Sequence, residues 1–150
     1  MNVKTAIWIN VEVFGNTLDR SGVLAYFHGL SVMNDCPAGD AQVVGAIHDV
    51  IEDIEWLELD DLWTLTKEQR DALDAISRRD GETYRDYILR VNQDALATTV
   101  KLVDLKHNMS RGRMKGCNPG LMVRYVQSVE FLTSGEWKSK SELKKEAKLD

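Results

Sequence analysis

The sequence predicts an all-α protein: one compact helical domain followed by a short charged tail. Three observations carry this. Apolar residues recur at helical spacing along most of the chain, and no segment alternates apolar and polar as a half-buried strand does. Only two prolines interrupt 150 residues. The length suits a single domain able to bury a real core. We place that domain at residues 1–135 and the charged helical tail at 136–150.

The elements follow in order. Residues 3–14 read as a helix that stops near Gly15-Asn16, and Asp19-Arg20-Ser21-Gly22 as a turn. Residues 24–34 form a short helix that ends before Pro37. Ala38 to Ile54 reads as one continuous helix, and Glu58 to Trp63 as a single turn. Thr66-Lys67-Glu68-Gln69 fits a capping box, which starts a helix running to about Arg79. Asp80-Gly81 breaks it. Helices are expected from Glu82 to Val91 and from Asp94 to Met109, with a basic loop at 110–117. Asn118-Pro119 pairs an N-cap with proline at the first helical position, and that helix stops at Ser134-Gly135. The tail from Lys138 to Asp150 carries alternating charges, as a solvated helix or a frayed end.

Composition excludes several classes. Apolar residues make up 43% and charged residues 29%, an ordinary globular mixture. The balance of 19 basic against 24 acidic residues gives −5, which argues against a general nucleic-acid binder. A nucleotide substrate stays compatible with it, because a local basic pocket or a metal offsets the global charge. Cys36 and Cys117 lie far apart without CxxC spacing, so free thiols in a reducing cytoplasm are expected. The first residues lack the basic start and cleavage site of a signal peptide. No apolar run approaches the ~18 residues of a membrane span. The expected location is therefore cytoplasmic, with no nucleic-acid or membrane partner.

Candidate chemistry sits on the 38–54 helix. On a helical wheel Val43, Val44, Ile47, Val50, Ile51 and Ile54 share one arc of about 120°. His48, Asp49, Glu52 and Asp53 occupy the opposite arc. Such a face is either a solvated helix side or the start of a metal site, for which mixed nitrogen and oxygen ligands are suited. Further ligands must come from other helices. Lys101, Asp104 and Asn108 share one helix face, while Leu96, Val100 and Val103 form a core stripe. His28 stands among apolar neighbours in Ala25-Tyr26-Phe27-His28-Gly29-Leu30.

In combination these pieces resemble the HD superfamily, and within it the hydrolase domain of RelA/SpoT-type alarmone enzymes and their small single-domain relatives. The stretch from Asp19 to Leu30 is similar to the family's Asp-Lys-x-Gly…His-Pro-Leu segment. Residues His48-Asp49-Val50-Ile51-Glu52-Asp53 match its His-Asp-x-x-Glu-Asp signature, and Val100-Lys101-Leu102-Val103-Asp104-Leu105-Lys106-His107-Asn108 its Val-Lys-Leu-Ala-Asp-x-x-His-Asn element. Gly81-Glu82-Thr83-Tyr84-Arg85-Asp86-Tyr87 and Arg124-Tyr125 are supporting echoes.

The resemblance implies a compact HD-domain helical bundle covering roughly residues 5–133. It implies His28, His48, Asp49 and Asp104 as metal ligands, Glu52 and Asp53 as the pair that orients or deprotonates the attacking water, and Arg20, Lys101 and Asn108 as substrate contacts. The implied activity is manganese-dependent release of the 3′-pyrophosphate of guanosine tetra- or pentaphosphate, a small-molecule nucleotide. The sequence departs from the pattern at Phe14, Arg20, Gly29 and Val103. Those at 14, 20 and 29 fall on the substrate side. They leave open a hydrolase of another nucleotide or a phosphate monoester, and beside it a non-catalytic nucleotide-binding module.

Overall fold

A computed structural model describes residues 1–110 and 118–146 of the chain. Its secondary structure is helical: α1 Val3–Phe14, α2 Tyr26–Asp35, α3 Asp40–Ile47, α4 Val50–Asp53, α5 Lys67–Ile76, α6 Tyr84–Val91, α7 Ala95–Asn108, α8 Pro119–Ser134 and α9 Lys140–Glu146. A 3₁₀ turn covers Leu59–Asp61, within the single turn expected there. Among the described residues there is no strand. One isolated bridge, Leu18 to Leu24, pins the loop between α1 and α2. The all-α class is as expected. Cys36 is a free, buried cysteine, and burial, with Asp35 adding to it, pushes its thiol up to about 11. Cys117, most of the expected basic loop and residues 147–150 lie outside the described residues.

Local signals account for most helix ends. The Asn2 side chain accepts from the Thr5 amide at 3.0 Å and opens α1, which Gly15 closes at φ 49°. Thr66 and Gln69 form the expected reciprocal box at α5. Asp94 caps α7 by accepting from the Ala97 amide at 2.7 Å. Asn118 caps α8 with Pro119 in its first turn, and Gly135 ends it in the left-handed region.

Two stretches differ from expectation, one through a side chain that bonds back within its own turn and one through a contact from another helix. The 38–54 helix is not continuous. It starts at Asp40 and is interrupted at His48-Asp49. There the His48 Nδ1–H donates to the Gly45 carbonyl at 2.9 Å, the acceptor an unbroken helix would offer to the Asp49 amide. A short helix restarts with the Asp53 amide on the Asp49 carbonyl at 2.9 Å. Helix α5 stops at Ile76 rather than Arg79 because Arg90 caps it from α6. The guanidinium donates to the carbonyls of Asp74, Ala75 and Ser77, each at 2.9 Å. It also holds Glu82 in a two-pronged ion pair at 2.8 Å, so Glu82 precedes α6 instead of starting it.

Helix α3 is the centre of the core. It packs against α1, α2, α5 and α7 and buries Val43, Val44 and Ile47. Its approach to α2 depends on two glycines. A Cβ on Gly29 would lie 2.6 Å from the Ala46 carbonyl oxygen, and one on Gly45 would lie 3.1 Å from Cys36 Sγ. The first is closer than a Cβ comes to backbone and the second is tight, so the hydrogen of Gly29 above all lets these helices come this close. The close crossing places His28, next to Gly29, against His48, just past the end of α3.

Candidate metal centre

Three helical segments converge on one point. His28 comes from α2, His48 from the break after α3, and Asp104 from α7. All three are buried, and one ligand atom from each lies within 4.8 Å of the others. His28 Nε2 is 2.9 Å and His48 Nε2 3.5 Å from Asp104 Oδ1. Asp49 flanks the group from the partly exposed side, its oxygens 3.5 Å from His28 Nε2 and 3.2 Å from His48 Nε2.

The donor chemistry fits a cation. His48 commits its Nδ1 proton to Gly45, and its Nε2 is a buried nitrogen with no hydrogen-bond partner. A neutral imidazole fixed by one N–H offers the other nitrogen's lone pair to a metal. Burial opposes the charge, but Asp49 and then Asp104 outweigh it and push His48 up to about 9. The cluster therefore demands positive charge at this point.

Asp104 is saturated with donors. Besides His28, Lys101 Nζ donates to its Oδ2 at 2.7 Å and Asn108 Nδ2 to its Oδ1 at 2.5 Å. Burial alone would raise its pKa. The Lys101 charge, with the bond from His28 and the nearby His48 ring, holds it well below the usual carboxylate range. Lys101 is raised in turn: burial works against its charge, and Asp104 overrides that. Its ammonium also lies 5.2 Å from the centre of the Tyr87 ring.

A cleft of about 580 Å³ opens over the cluster. His28, Asp49, Glu52, Asp53 and Asp104 line it on the acidic side, and Arg20, Lys101 and Asn108 line it as well. Of the nine residues expected at the site, His48 alone does not reach this wall; it lies behind it, fully buried. Glu52 Oε2 accepts from the Arg78 amide at 3.1 Å. Asp53 is pushed up to about 6, first by desolvation in the cleft wall and then by the charges of Asp49 and Glu52. Arg20 Nη2 donates to the Tyr125 hydroxyl at 3.5 Å.

The structure adds residues that were not among the expected site residues. Arg78, Tyr84, Arg124 and Tyr125 complete the cleft, with Arg124 4.9 Å from the Tyr84 ring centre. His107 stacks on His28 with ring centres 4.9 Å apart, and the two Nδ1 atoms are 2.7 Å apart, one donating and one accepting. The signal for His107 was available: it lies three residues after Asp104, on nearly the same helix face. Arg78 had no such signal, because it is brought in from just past the end of α5, and Arg124 had only the weak Arg124-Tyr125 echo. Phe14, one of the departures from the resembled pattern, also lines the cleft.

The fold and site together define an all-helical protein with a buried His–His–Asp cluster able to hold a metal ion. No protein-family model matches the chain, and comparison with curated proteins finds no match. Among the described residues, no helix is long and apolar enough to cross a membrane.

Proposed function

We propose that this protein is a metal-dependent phosphohydrolase of the HD type, acting on guanosine tetra- or pentaphosphate at the 3′-pyrophosphate. One observation carries the reading. Histidines and an aspartate from three separate segments meet at and just behind the wall of a cleft that also presents two further carboxylates, Glu52 and Asp53, beside arginines. A mere solvated helix face has no need of ligands from α2 and α7.

His28, His48 and Asp104 would hold the ion, with Asp49 beside them; the family resemblance favours manganese, and the same donors suit iron, cobalt or zinc. A bound divalent ion supplies Lewis acidity, acidifying water and neutralising phosphate oxygens. The chain's own groups do the rest. Asp53 and Glu52 lie on the cleft side of the ligands, where a carboxylate orients an attacking water and takes its proton. Arg20, Arg78 and Arg124 offer planar donors that match phosphate oxygens. Lys101 acts first on Asp104, fixing that ligand's charge and direction. Asn108 does so from the other oxygen. Tyr84 and Tyr125 give the cleft aromatic walls against which a nucleoside can pack.

A second reading keeps this site and changes the substrate to another nucleotide or a phosphate monoester. Phe14 in the cleft wall favours it, because an apolar ring replaces a polar group of the family pattern. The deciding experiment measures phosphate and pyrophosphate release with Mn²⁺ from guanosine tetraphosphate, deoxynucleotides and nucleoside monophosphates, in the parent and Asp49→Ala. Pyrophosphate from guanosine tetraphosphate, lost in the variant, is the expected result. Release only from other nucleotides moves the substrate and keeps the site. No release from any of them refutes the alarmone hydrolase and leaves a nucleotide-binding module or a substrate outside the panel.

A further inference from the structure

Away from the cleft, three of the four tryptophans stand on one face. Trp8, Trp56 and Trp63 are 62%, 70% and 82% exposed. Exposed indoles are expensive in water, and isolated ones need no account; three around one depression do. All three line a groove of about 520 Å³ between the outer side of α1 and the 56–64 segment, over an apolar floor that includes Ile9 and Leu57. The face is built rather than loose. The Met1 amine donates to the Thr64 carbonyl and to Gln69 Oε1, tying the chain start to the groove's far wall.

The charged side chains that line the groove have one sign, and the Met1 ammonium at its wall is taken up by the Thr64 carbonyl and Gln69 Oε1. Glu12 and Asp61 line it. The segment from Ile54 to Thr66 carries Glu55, Glu58, Asp60 and Asp61 and no lysine, arginine or histidine. Of the nearby cations, Lys67 pairs with Asp71 and Arg70 with Asp60, and Lys4 lies one helical turn before Trp8 on α1. Among the described residues, cations stack on Tyr84, Tyr87 and Trp137, and none on these three indoles. Indole is the best neutral acceptor for a cation over its face, and carboxylates at the rim add to that attraction.

We propose that this groove docks a cationic peptide segment of a partner protein, one with lysine or arginine side chains around an apolar anchor. The charge pattern selects this occupant over the others. A second copy seated face to face would set the same acidic rim against itself. Anionic lipid headgroups and nucleic acid would be repelled by the same carboxylates. A basic segment would gain from both features at once, through apolar burial, cation–π contacts and long-range attraction to the rim. The groove lies outside the metal cleft, so this inference is independent of the proposed activity.

The test pans a phage-displayed library of short random peptides on the full chain, then repeats it on Trp56→Ala/Trp63→Ala. Both positions are mostly exposed, so circular dichroism and urea unfolding should match the parent. Peptides rich in lysine or arginine with an aromatic or aliphatic anchor should enrich on the parent alone. Calorimetric titration of one enriched peptide should be weakened about tenfold or more by the double variant. Glu12→Lys should weaken it several-fold, and raising salt from about 0.05 to about 0.5 M should weaken it further. Enrichment of acidic or uncharged peptides, enrichment indifferent to the tryptophans, or no enrichment overturns the proposal. So does a dimer in sedimentation that the double variant abolishes, or binding to anionic vesicles.

Discussion

Replacing Gly29 with alanine tests how the fold positions the metal ligands. The added Cβ would sit 2.6 Å from the Ala46 carbonyl oxygen, with the Asn10 side-chain amide at 3.0 and 3.1 Å. The nearest atom is backbone of the central helix α3, and Asn10 is buried with its Nδ2 bonded to the Tyr26 carbonyl at 2.8 Å. Neither neighbour yields cheaply. Alanine gains about 0.5–1 kcal/mol from helix propensity. Overpacking costs about 1–3 kcal/mol. A backbone contact at 2.6 Å puts the cost in the upper half of that range, so the net expectation is a loss of about 1–2.5 kcal/mol, which in a domain of this size lowers Tm by several degrees. Relief of the clash must separate α2 from α3, and with it His28 from His48. Ligand displacement of this kind should weaken manganese binding by roughly tenfold. Urea unfolding gives the stability and titration calorimetry the affinity. A Gly29→Ala protein as stable as the parent, with manganese affinity within about twofold, would refute the argument that this crossing sets the site.

Three more predictions follow from the same geometry. His107→Ala removes the partner of His28 Nδ1 and should weaken manganese binding by about 10- to 100-fold, with His107→Asn restoring part of it; unchanged affinity by calorimetry would show that the stacked ring is packing only. Manganese at about one hundred times its Kd should stabilise the fold by about 2.7 kcal/mol, and chelation or Asp104→Asn should abolish the thermal shift; a shift that survives Asp104→Asn places the ion elsewhere. The bond from Arg90 holds Glu82 at about 2, below its ordinary 4.5, against the pull of burial. A depressed carboxylate stabilises the fold above its unfolded value and loses that contribution as pH falls through the folded one. Stability should therefore decline from about pH 4.5 toward pH 2, and Glu82→Gln should flatten that part of an acid-unfolding curve; identical slopes in the two proteins would contradict it.

The sequence by itself determined the helical class, the box at Thr66, the Asn118-Pro119 start and the shared face of Lys101, Asp104 and Asn108. These rest on spacings of three or four residues, and the caps and the face-sharing are satisfied within a single turn of chain. In the structure that face appears as bonds from Lys101 and Asn108 to Asp104. Tertiary structure decided what depends on contacts far apart in sequence. The break at His48-Asp49 is a different case: its bond to Gly45 spans only three residues, but it lies inside an apolar pattern that continues without interruption, so periodicity gives no sign of it. Arg90 ends α5 from another helix, across 13 to 16 residues. The meeting of His28 with Asp104 spans 76 positions, and its approach to His48 depends on a glycine crossing whose tightness only the packed backbones define. Hydrogen bonds within one turn cost little chain entropy and leave a local signature. Those that close long loops form only when the core has already brought their ends together.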